Sequence, residues 1–425
     1  MGATPPARGS PRFVTETLLA ARVATATEVH SPGWITIRGE RIAGVGSGRW
    51  PATEGGVRDL GDVTLVPGFV DAHVHGGGGA GYTGIGVESQ RKSALVAREA
   101  HLQHGTTATM ASLVTASPEA LRQGVQGLAE LVREGLIDGI HLEGPWLSRS
   151  RAGAHTISQL RDPDPVEIEA LLAAGGGTIS MVTIAPELPG ALDAVKRLVE
   201  AGVVVAVGHS DADYATVVSA IEAGARVATH LFNAMRPLDH REPGPILALM
   251  EDPRVALELI ADDAHLHASV PAWVEAAAGV DRVLLVTDAM DAAGCGDGAY
   301  RLGGLEVEVR GGVARLCGSD TIAGSTATMD ALFRRRASVG EWSDEAILAA
   351  VRETSTNPAR VLSWGDVGDL AVGKHASLVV LDSSRRVTGV MLRGEWVRGV
   401  GRATLGSSRL GGTRTPPWPL ATGNP

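Results

Sequence analysis

The sequence predicts an α/β protein built on a (β/α)8 TIM barrel, with a small β-sandwich domain formed from N- and C-terminal segments. Eight short segments rich in β-branched residues alternate with alanine-rich helical segments, a rhythm that indicates parallel strands joined by right-handed crossovers. Eight is also the number of strands that closes such a barrel. An open, doubly wound sheet is the alternative, and it is disfavoured because no Gly-x-Gly-x-x-Gly turn follows an early strand.

The predicted barrel strands are short apolar runs, and amphipathic segments separate most of them. The strands are expected at residues 64–75, 106–113, 139–144, 179–186, 203–209, 226–232, 256–262 and 283–288. The helices are expected at residues 89–104, 118–134, 188–201, 213–223 and 270–278, with a further helical region at 326–362.

Glycine-rich, β-type segments on either side of this rhythm indicate the second domain. We expect residues 13–62, 300–325 and 366–402 to form the β-sandwich, and residues 63–299 with 326–365 to form the barrel. Residues 1–12 are expected to be a flexible tail. Residues 403–425, which are rich in Gly, Ser, Thr and Pro, are expected to be a disordered tail.

Length and charge limit the classes of partner. The chain has 425 residues and a formal net charge of −10 at pH 7. Its length favours one large domain with a smaller one, and its negative charge argues against nucleic acid or an anionic membrane as a partner. No apolar run could span a bilayer, no signal-peptide pattern is visible, and two cysteines cannot form a disulfide framework. A cytoplasmic location is therefore expected.

Two histidines, His73 and His75, follow an apolar stretch at the start of the predicted barrel. Alternation along a strand places both imidazoles on one face, where they can bind one metal ion. Hydrogen-bonded histidines without a metal are the simpler alternative at this point. A run of glycines begins directly after His75, so a ligand can approach the backbone closely there.

Further polar residues stand at strand ends, where the chemistry of a TIM barrel is located. Glu143, His209 and His230 end the third, fifth and sixth strands, and together they suffice to bind one catalytic metal with a position left open for water. His73 and His75 could complete a second, adjacent metal site. Asp288 ends the eighth strand, where it could take a proton from a metal-activated water and deliver it to a leaving nitrogen.

Several runs of sequence resemble a known family. The His-x-His pair and the aspartate that closes the barrel are similar to those of the amidohydrolase superfamily. Within it, the more specific runs resemble the N-acetylglucosamine-6-phosphate deacetylases between about residues 63 and 381. These runs are PGFVDAHVHGGGG at 67–79, HLEGPW at 141–146, GAH at 153–155, GHS at 208–210, THLFNAM at 229–235, HREPG at 240–244, TDAM at 287–290 and AGST at 323–326.

The resemblance implies hydrolysis of N-acetyl-D-glucosamine 6-phosphate to acetate and D-glucosamine 6-phosphate. It implies that Glu143, His209 and His230 bind the principal metal, and that Asp288 is the general base and acid. The metal would be Zn²⁺ in the first place, with Fe²⁺, Co²⁺ or Mn²⁺ as alternatives and one or two ions per subunit. The implied substrate-binding residues are Ala154, His155, Asn233, Ala234, Arg241, Asp262, Asp263, Ala264, His265, Ile322, Ala323 and Gly324. Arg241 would reach the site of a neighbouring subunit, which implies a homodimer.

The sequence differs from the pattern of the family at one place, and several other functions are alternatives. Asp263 and Ala264 stand where a glycine is usual in the family, which places an extra acid near the expected phosphate pocket. A dihydroorotase or hydantoinase is disfavoured because no lysine ends the fourth strand, and deaminases of cyclic bases do not account for HLEGP and HREPG. A deacetylase of a related sugar, such as N-acetylgalactosamine 6-phosphate, and a non-catalytic barrel scaffold remain as alternatives.

Overall fold

The structure is a computed structural model, and it describes residues 15–51, 55–83 and 87–399. The two expected tails, residues 1–12 and 403–425, lie outside the described residues. Within the described ranges, no helix combines the length and the apolar character needed to cross a membrane.

Eight parallel strands form one continuous sheet in chain order. They are Phe69–Asp71, Thr106–Val114, Gly139–Glu143, Ile179–Ile184, Val204–Val207, Val227–Ala228, Ala256–Leu259 and Val283–Leu285. The first and last strands meet just beyond their ends, where Val74 and Ala289 form a parallel bridge and the His75 N–H donates to the Ala289 carbonyl at 2.7 Å. The predicted (β/α)8 barrel is confirmed.

The first predicted strand, residues 64–75, is two strands in different sheets. Thr64–Pro67 pairs with Leu378–Leu381 of the sandwich, whereas Phe69–Asp71 pairs with the second barrel strand. Gly68 lies between them, where a Cβ would stand 2.0 Å from a threonine hydroxyl oxygen, so only glycine permits this close approach. The expectation of one continuous strand is therefore wrong.

Helices surround the barrel, and an apolar cluster fills its interior. The helices are Val87–Gln103, Pro118–Arg133, Pro165–Gly175, Ala191–Glu200, Tyr214–Ala223, Gly244–Glu251, Val270–Ala278, Met329–Val339, Asp344–Val351 and Asn357–Val361, with a π-helical turn at Arg352–Thr356 and 3₁₀ turns at Arg149–Arg151, Ile157–Gln159 and Val280–Arg282. Ser117, Asp164 and Asp213 each accept a backbone N–H at the start of a helix, a cap that typically contributes about 1 kcal/mol. The interior cluster consists of small and branched side chains, among them Ala72, Met110, Met181, Ala206, Val227, Ile260 and Leu284.

Two sheets beside the barrel share a second core. The first contains Arg41–Ser47, Gly33–Arg38, Thr15–Ala20 and Gly56–Asp59, and the second contains Glu395–Arg398, Val387–Leu392, Leu378–Leu381, Thr64–Pro67, Arg22–Ala24 and Val29–His30. Leu18, Ile35, Leu65 and Leu378 are among the fully buried residues of this core. N- and C-terminal segments of the chain therefore join in one β-sandwich.

Residues 300–325 do not belong to the sandwich, so that part of the predicted domain division is wrong. Gly298–Leu302, Leu305–Arg310 and Val313–Leu316 form a separate antiparallel sheet. Val307 and Val309 are buried while the residues between and beside them are exposed, so this sheet has one apolar face to cover. That face packs against Met290, Ala292 and other residues at the mouth of the barrel, close to where the chain leaves the eighth strand.

Candidate active site and metal centre

Six side chains that the sequence places at strand ends converge at the carboxyl-terminal mouth of the barrel. All are buried, with at most 7% of the residue surface exposed. They are His73, His75, Glu143, His209, His230 and Asp288. His73 and His75 lie beyond the strand Phe69–Asp71 rather than within it, but their side chains still point to one place.

The backbone turns sharply at three of these residues. His209, His230 and Asp288 have positive φ values of 50°, 28° and 46°, a conformation that costs about 1–3 kcal/mol for a residue other than glycine. Neighbouring hydrogen bonds maintain it: the Asp288 N–H donates to the His73 carbonyl at 2.8 Å, and the Asp288 carbonyl accepts from Ser325 at 2.7 Å. The turns bring these side chains over the open end of the barrel.

Glu143 lies at the centre of the cluster. Its Oε1 is 2.9 Å from His230 Nε2 and 3.1 Å from His209 Nε2. Its Oε2 is 3.1 Å from His75 Nε2 and 3.3 Å from His155 Nε2. One carboxylate thus contacts imidazoles that come from four different parts of the chain.

His73, His75 and Asp288 form an adjacent group. The two Nε2 atoms are 3.1 Å apart, and Asp288 Oδ1 lies 3.4 Å from the first and 3.2 Å from the second. This triplet, and the triplet of Glu143, His155 and His209, each have ligand atoms close enough together to surround one metal ion.

The outer nitrogens show which way three of the imidazoles face. Nδ1 of His75 contacts the Ser112 carbonyl at 3.2 Å, and Nδ1 of His209 contacts the Arg151 carbonyl at 2.8 Å. A carbonyl only accepts, so both Nδ1 atoms carry hydrogen, and in the neutral form each ring would present an Nε2 lone pair to the cluster. His73 Nδ1 likewise contacts the carboxylate of Glu258 at 3.2 Å.

Facing lone pairs and carboxylates require a positive charge among them. Burial lowers the pKa of His75, but Asp288 and Glu143 outweigh it and raise that pKa to about 9. Burial raises the pKa of Glu143, but the surrounding histidines, His73 foremost, hold it well below its ordinary range. Inward-facing imidazoles and carboxylates are the donors that zinc and similar divalent ions take, so the residues present fit a divalent metal centre.

His155 faces the cluster with the opposite polarity. Its Nδ1 accepts the backbone N–H of Thr115 at 3.3 Å, and because a backbone N–H only donates, the hydrogen of the neutral ring is on Nε2. Burial lowers the pKa of His155 to about 4, although Glu143 opposes the shift. His155 is thus a neutral hydrogen-bond donor at this site, even though its position alone would suit a metal ligand.

The cluster forms the base of a pocket of about 380 Å³. Twelve residues expected from the sequence line it: His75, Glu143, Ala154, His155, His209, His230, Asn233, Ala234, His265, Asp288, Ile322 and Gly324. Ser150, Arg151, Gly153, Leu302 and Thr321 also line it and were not predicted. Leu302 comes from the three-stranded sheet, which therefore forms part of the pocket wall.

Six expected residues do not line the pocket of this chain. They are His73, Arg241, Asp262, Asp263, Ala264 and Ala323. His73 lies fully buried behind the pocket, and Asp262 acts on the pocket through His265, whose Nδ1 lies 2.9 Å from its carboxylate. Arg241 is exposed.

The extra acid of this chain, Asp263, faces away from the pocket. Its φ is 67°, a backbone conformation that favours glycine. Its carboxylate forms an ion pair with Arg335, and Arg335 also donates to the Ala261 carbonyl at 3.2 Å. Asp263 therefore does not line the pocket of its own chain, and Arg335 balances its charge.

Several supporting residues were missed because their partners are distant in sequence. Glu258 is fully buried, and its Oε2 contacts His73 Nδ1 and the backbone N–H of His230, both at 3.2 Å. The signal in the sequence is an acid within the otherwise apolar strand Ala256–Leu259. Arg151 contributes its carbonyl to His209, a contact that leaves no trace in the residue type.

Comparisons with known proteins agree with this geometry. The amidohydrolase family profile matches residues 64–397. The N-acetylglucosamine-6-phosphate deacetylase of Homo sapiens is 37% identical over 355 residues, which cover 80% of this chain and 85% of that protein. The N-acetylgalactosamine-6-phosphate deacetylase of Escherichia coli O157:H7 is 36% identical over 337 residues, which cover 78% and 87%.

Solved structures give the same result. The N-acetyl-D-glucosamine-6-phosphate deacetylase of Mycobacterium smegmatis is 51% identical with a TM-score of 0.86, and the match covers 90% of this chain and 100% of that one. A mutant of that enzyme in complex with N-acetyl-D-glucosamine-6-phosphate matches with a TM-score of 0.87, again at 51% identity, over 91% and 100% of the two chains. With its barrel, its buried donor cluster and these relatives, the chain belongs to the amidohydrolase family and is a metal-dependent hydrolase.

Proposed function

We propose that the chain hydrolyses the acetamide of N-acetyl-D-glucosamine 6-phosphate, releasing acetate and D-glucosamine 6-phosphate. The observation that carries the proposal is the pocket of about 380 Å³, which has the Glu143 cluster and Asp288 at its base and the expected sugar-binding residues in its walls. The named substrate of the relatives, and its presence in the complex of the 51% identical enzyme, support this substrate class.

Glu143, His209 and His230 are the proposed ligands of the principal metal, and His73 and His75 those of a second one. A divalent cation at this place supplies a water of lowered pKa and polarises the amide carbonyl. Zn²⁺ is the proposed ion because imidazole nitrogens and carboxylate oxygens are its usual ligands. A second ion is supported by the 3.1 Å separation of the Nε2 atoms of His73 and His75.

Asp288 is the proposed general base and then general acid. Burial raises its pKa, but His73 and His75 outweigh burial and lower it, so the carboxylate starts the reaction ionised. It can accept a proton from the attacking water at Oδ1 and donate that proton to the amide nitrogen as the C–N bond breaks. His155, with its hydrogen on Nε2, is the proposed donor to the carbonyl oxygen, where negative charge develops.

The pocket walls are proposed to bind the sugar phosphate. Asn233 and Ala234 lie on one side, and Ile322 and Gly324 lie on the segment beyond the three-stranded sheet. Burial lowers the pKa of His265, but Asp262 and Asp288 together outweigh it and raise that pKa above its ordinary value, which favours a positive charge in the wall. A cationic imidazole is suited to a phosphate or a sugar hydroxyl.

The substrate is tested by measuring acetate release. Metal-loaded protein is expected to turn over N-acetyl-D-glucosamine 6-phosphate with a kcat/KM at least about tenfold above that for N-acetyl-D-galactosamine 6-phosphate, since a misplaced hydroxyl leaves buried polar groups unpaired. A reversed ratio would favour the galactosamine substrate, which the Escherichia coli relative acts on. Absence of acetate release from either sugar would favour a non-catalytic scaffold.

Arg241 is proposed to bind the phosphate in the neighbouring subunit of a homodimer. Its exposure and its absence from the pocket lining of its own chain support action across an interface, and a guanidinium suits phosphate. Arg241→Ala should raise KM for the phosphorylated sugar about tenfold or more with a smaller effect on kcat. Arg241→Lys should keep part of the affinity.

Mixing two impaired variants distinguishes action across the interface from action within one chain. If Arg241 serves the partner, a mixed dimer of Arg241→Ala and Asp288→Asn subunits contains one site with both residues intact. Activity at low substrate should then rise above that of either protein alone after subunit exchange. A monomer by analytical ultracentrifugation, or no gain on mixing, would contradict the proposal.

A further inference from the structure

We propose that Thr115 is a positioning residue, which fixes His155 as a hydrogen-bond donor toward the reacting carbonyl. The inference rests on the proposed function and adds to it a residue outside the pocket lining. Thr115 directly follows the second barrel strand, Thr106–Val114, and only 6% of its surface is exposed.

Two groups of Thr115 contact the same nitrogen of His155. The backbone N–H donates to Nδ1 at 3.3 Å, and Oγ1 lies 2.8 Å from Nδ1. A hydroxyl alone could serve either tautomer because it both donates and accepts. The backbone N–H removes that ambiguity, so the hydroxyl also donates and Nδ1 accepts both hydrogens.

The hydroxyl is held in place from its other side. Gly144, which follows Glu143, has a φ of 84°, and a Cβ there would lie 2.4 Å from Thr115 Oγ1. The oxygen is therefore packed between the backbone beside Glu143 and the ring of His155. This arrangement ties the orientation of the imidazole to the strand that carries Glu143.

The hydrogen-bond partner of Nδ1 determines whether the Nε2 of each histidine carries a lone pair or a hydrogen. His75 and His209 donate Nδ1–H to carbonyls, so their Nε2 atoms present lone pairs that suit a metal. His155 accepts at Nδ1, so its Nε2 carries the hydrogen. This Nε2 lies 3.3 Å from Glu143 Oε2, at the edge of the reacting site. A lone pair at this position would repel a developing oxyanion, whereas an N–H stabilises it.

The test compares Thr115→Val, which removes the hydroxyl at nearly constant volume, with Thr115→Ser, which keeps it. Loss of one oxyanion donor costs about 10²–10³ in kcat, and because Thr115→Val misorients the donor rather than removing it, kcat should fall about 10- to 100-fold with KM changed by no more than about twofold. Affinity for a tetrahedral methylphosphonate analogue of the acetamide should fall by the same factor. Thr115→Ser should restore most of the activity.

Thr109→Val is the matched control, since Thr109 is a buried threonine of the strand that Thr115 follows. Its hydroxyl donates to the Met110 carbonyl at 3.2 Å. The substitution should leave kcat near the wild-type value. A kcat of Thr115→Val within about twofold of this control would overturn the proposal. So would a loss of bound metal in parallel with kcat, because Thr115 would then act on the metal centre.

A measurement that does not need turnover tests the tautomer directly. Nitrogen-15 NMR of histidine-labelled protein, with the His155 signals identified by their loss in His155→Asn, shows which ring nitrogen carries the hydrogen. We expect it on Nε2 in the wild type, where both groups of Thr115 donate to Nδ1. In Thr115→Val only the longer backbone contact of 3.3 Å remains, so a fraction of the rings should carry the hydrogen on Nδ1. Hydrogen on Nδ1 in the wild type would overturn the inference. An inactive wild type with the expected tautomer would instead refute the proposed function.

Discussion

Asp288→Asn is expected to retain bound metal and to lose at least about 10³-fold in kcat. The amide keeps the size and most hydrogen bonds of the carboxylate but cannot take up a proton, and general acid–base catalysis is worth about 10²–10⁴-fold. Both proton transfers of the proposed reaction pass through this group, which places the effect at the upper end. The measurements are acetate release under saturating substrate and metal content of the purified variant.

Asp291→Asn provides a matched control for this substitution. Asp291 is the next acid along the chain. Its Oδ1 lies beside Gly76 and Gly81, 2.7 Å and 2.5 Å from where a Cβ atom would stand on each. Its carboxylate is outside the pocket lining, so activity should fall by less than about tenfold. Full activity of Asp288→Asn would show that another group moves the proton.

The parts of the fold that sequence predicted well are those set by local pattern. Barrel strands carry apolar runs, and their ends carry the polar residues, so Glu143, His209, His230 and Asp288 could be placed at one mouth before any contact was known. The barrel topology brings these residues together, because its parallel strands end at the same rim.

The predictions of the fold were wrong where the sequence pattern of a strand does not indicate which part of the protein it packs against or pairs with. Residues 300–325 have a one-sided β pattern, which shows that an apolar face must be covered but not whether the sandwich or the barrel mouth covers it. The run 64–75 looks like one strand because both of its halves are apolar, and only the close approach at Gly68 separates them.

The supporting contacts of the site were beyond sequence reasoning for a different reason. The roles of His155 and His209 differ because one Nδ1 accepts an N–H while the other donates to a carbonyl. The groups that distinguish the two are main-chain groups, at Thr115 and Arg151, although the Thr115 hydroxyl also contacts His155 Nδ1 at 2.8 Å. No residue type encodes such a contact, since every non-proline residue carries the same two groups.

Glu143→Ala is expected to weaken binding of the principal metal strongly and to abolish activity. The carboxylate is the common neighbour of the cluster, and its oxygens lie 2.9–3.3 Å from four imidazoles. Its removal leaves mainly neutral nitrogens for the principal metal. Loss of a residue that only supports a metal ligand already lowers metal affinity by up to about 100-fold, so loss of the ligand itself should lower it by at least that factor. Metal content after dialysis against limiting Zn²⁺ and acetate release report the two effects separately.

Thermal unfolding distinguishes this variant from Asp288→Asn without measuring activity, through the shift in Tm that bound metal causes. A ligand that binds only the folded state at about 100 times its Kd stabilises it by about 2.7 kcal/mol, so added Zn²⁺ should raise the Tm of the wild type and of Asp288→Asn. It should raise the Tm of Glu143→Ala much less, because the principal site has lost its carboxylate ligand. Glu167→Ala is the control, because Glu167 pairs with Arg161 away from the pocket lining, and it should respond as the wild type does. A full metal-induced shift in Glu143→Ala would move the principal site to the His73, His75 and Asp288 group, and Asp288 would then be a ligand rather than the proton carrier.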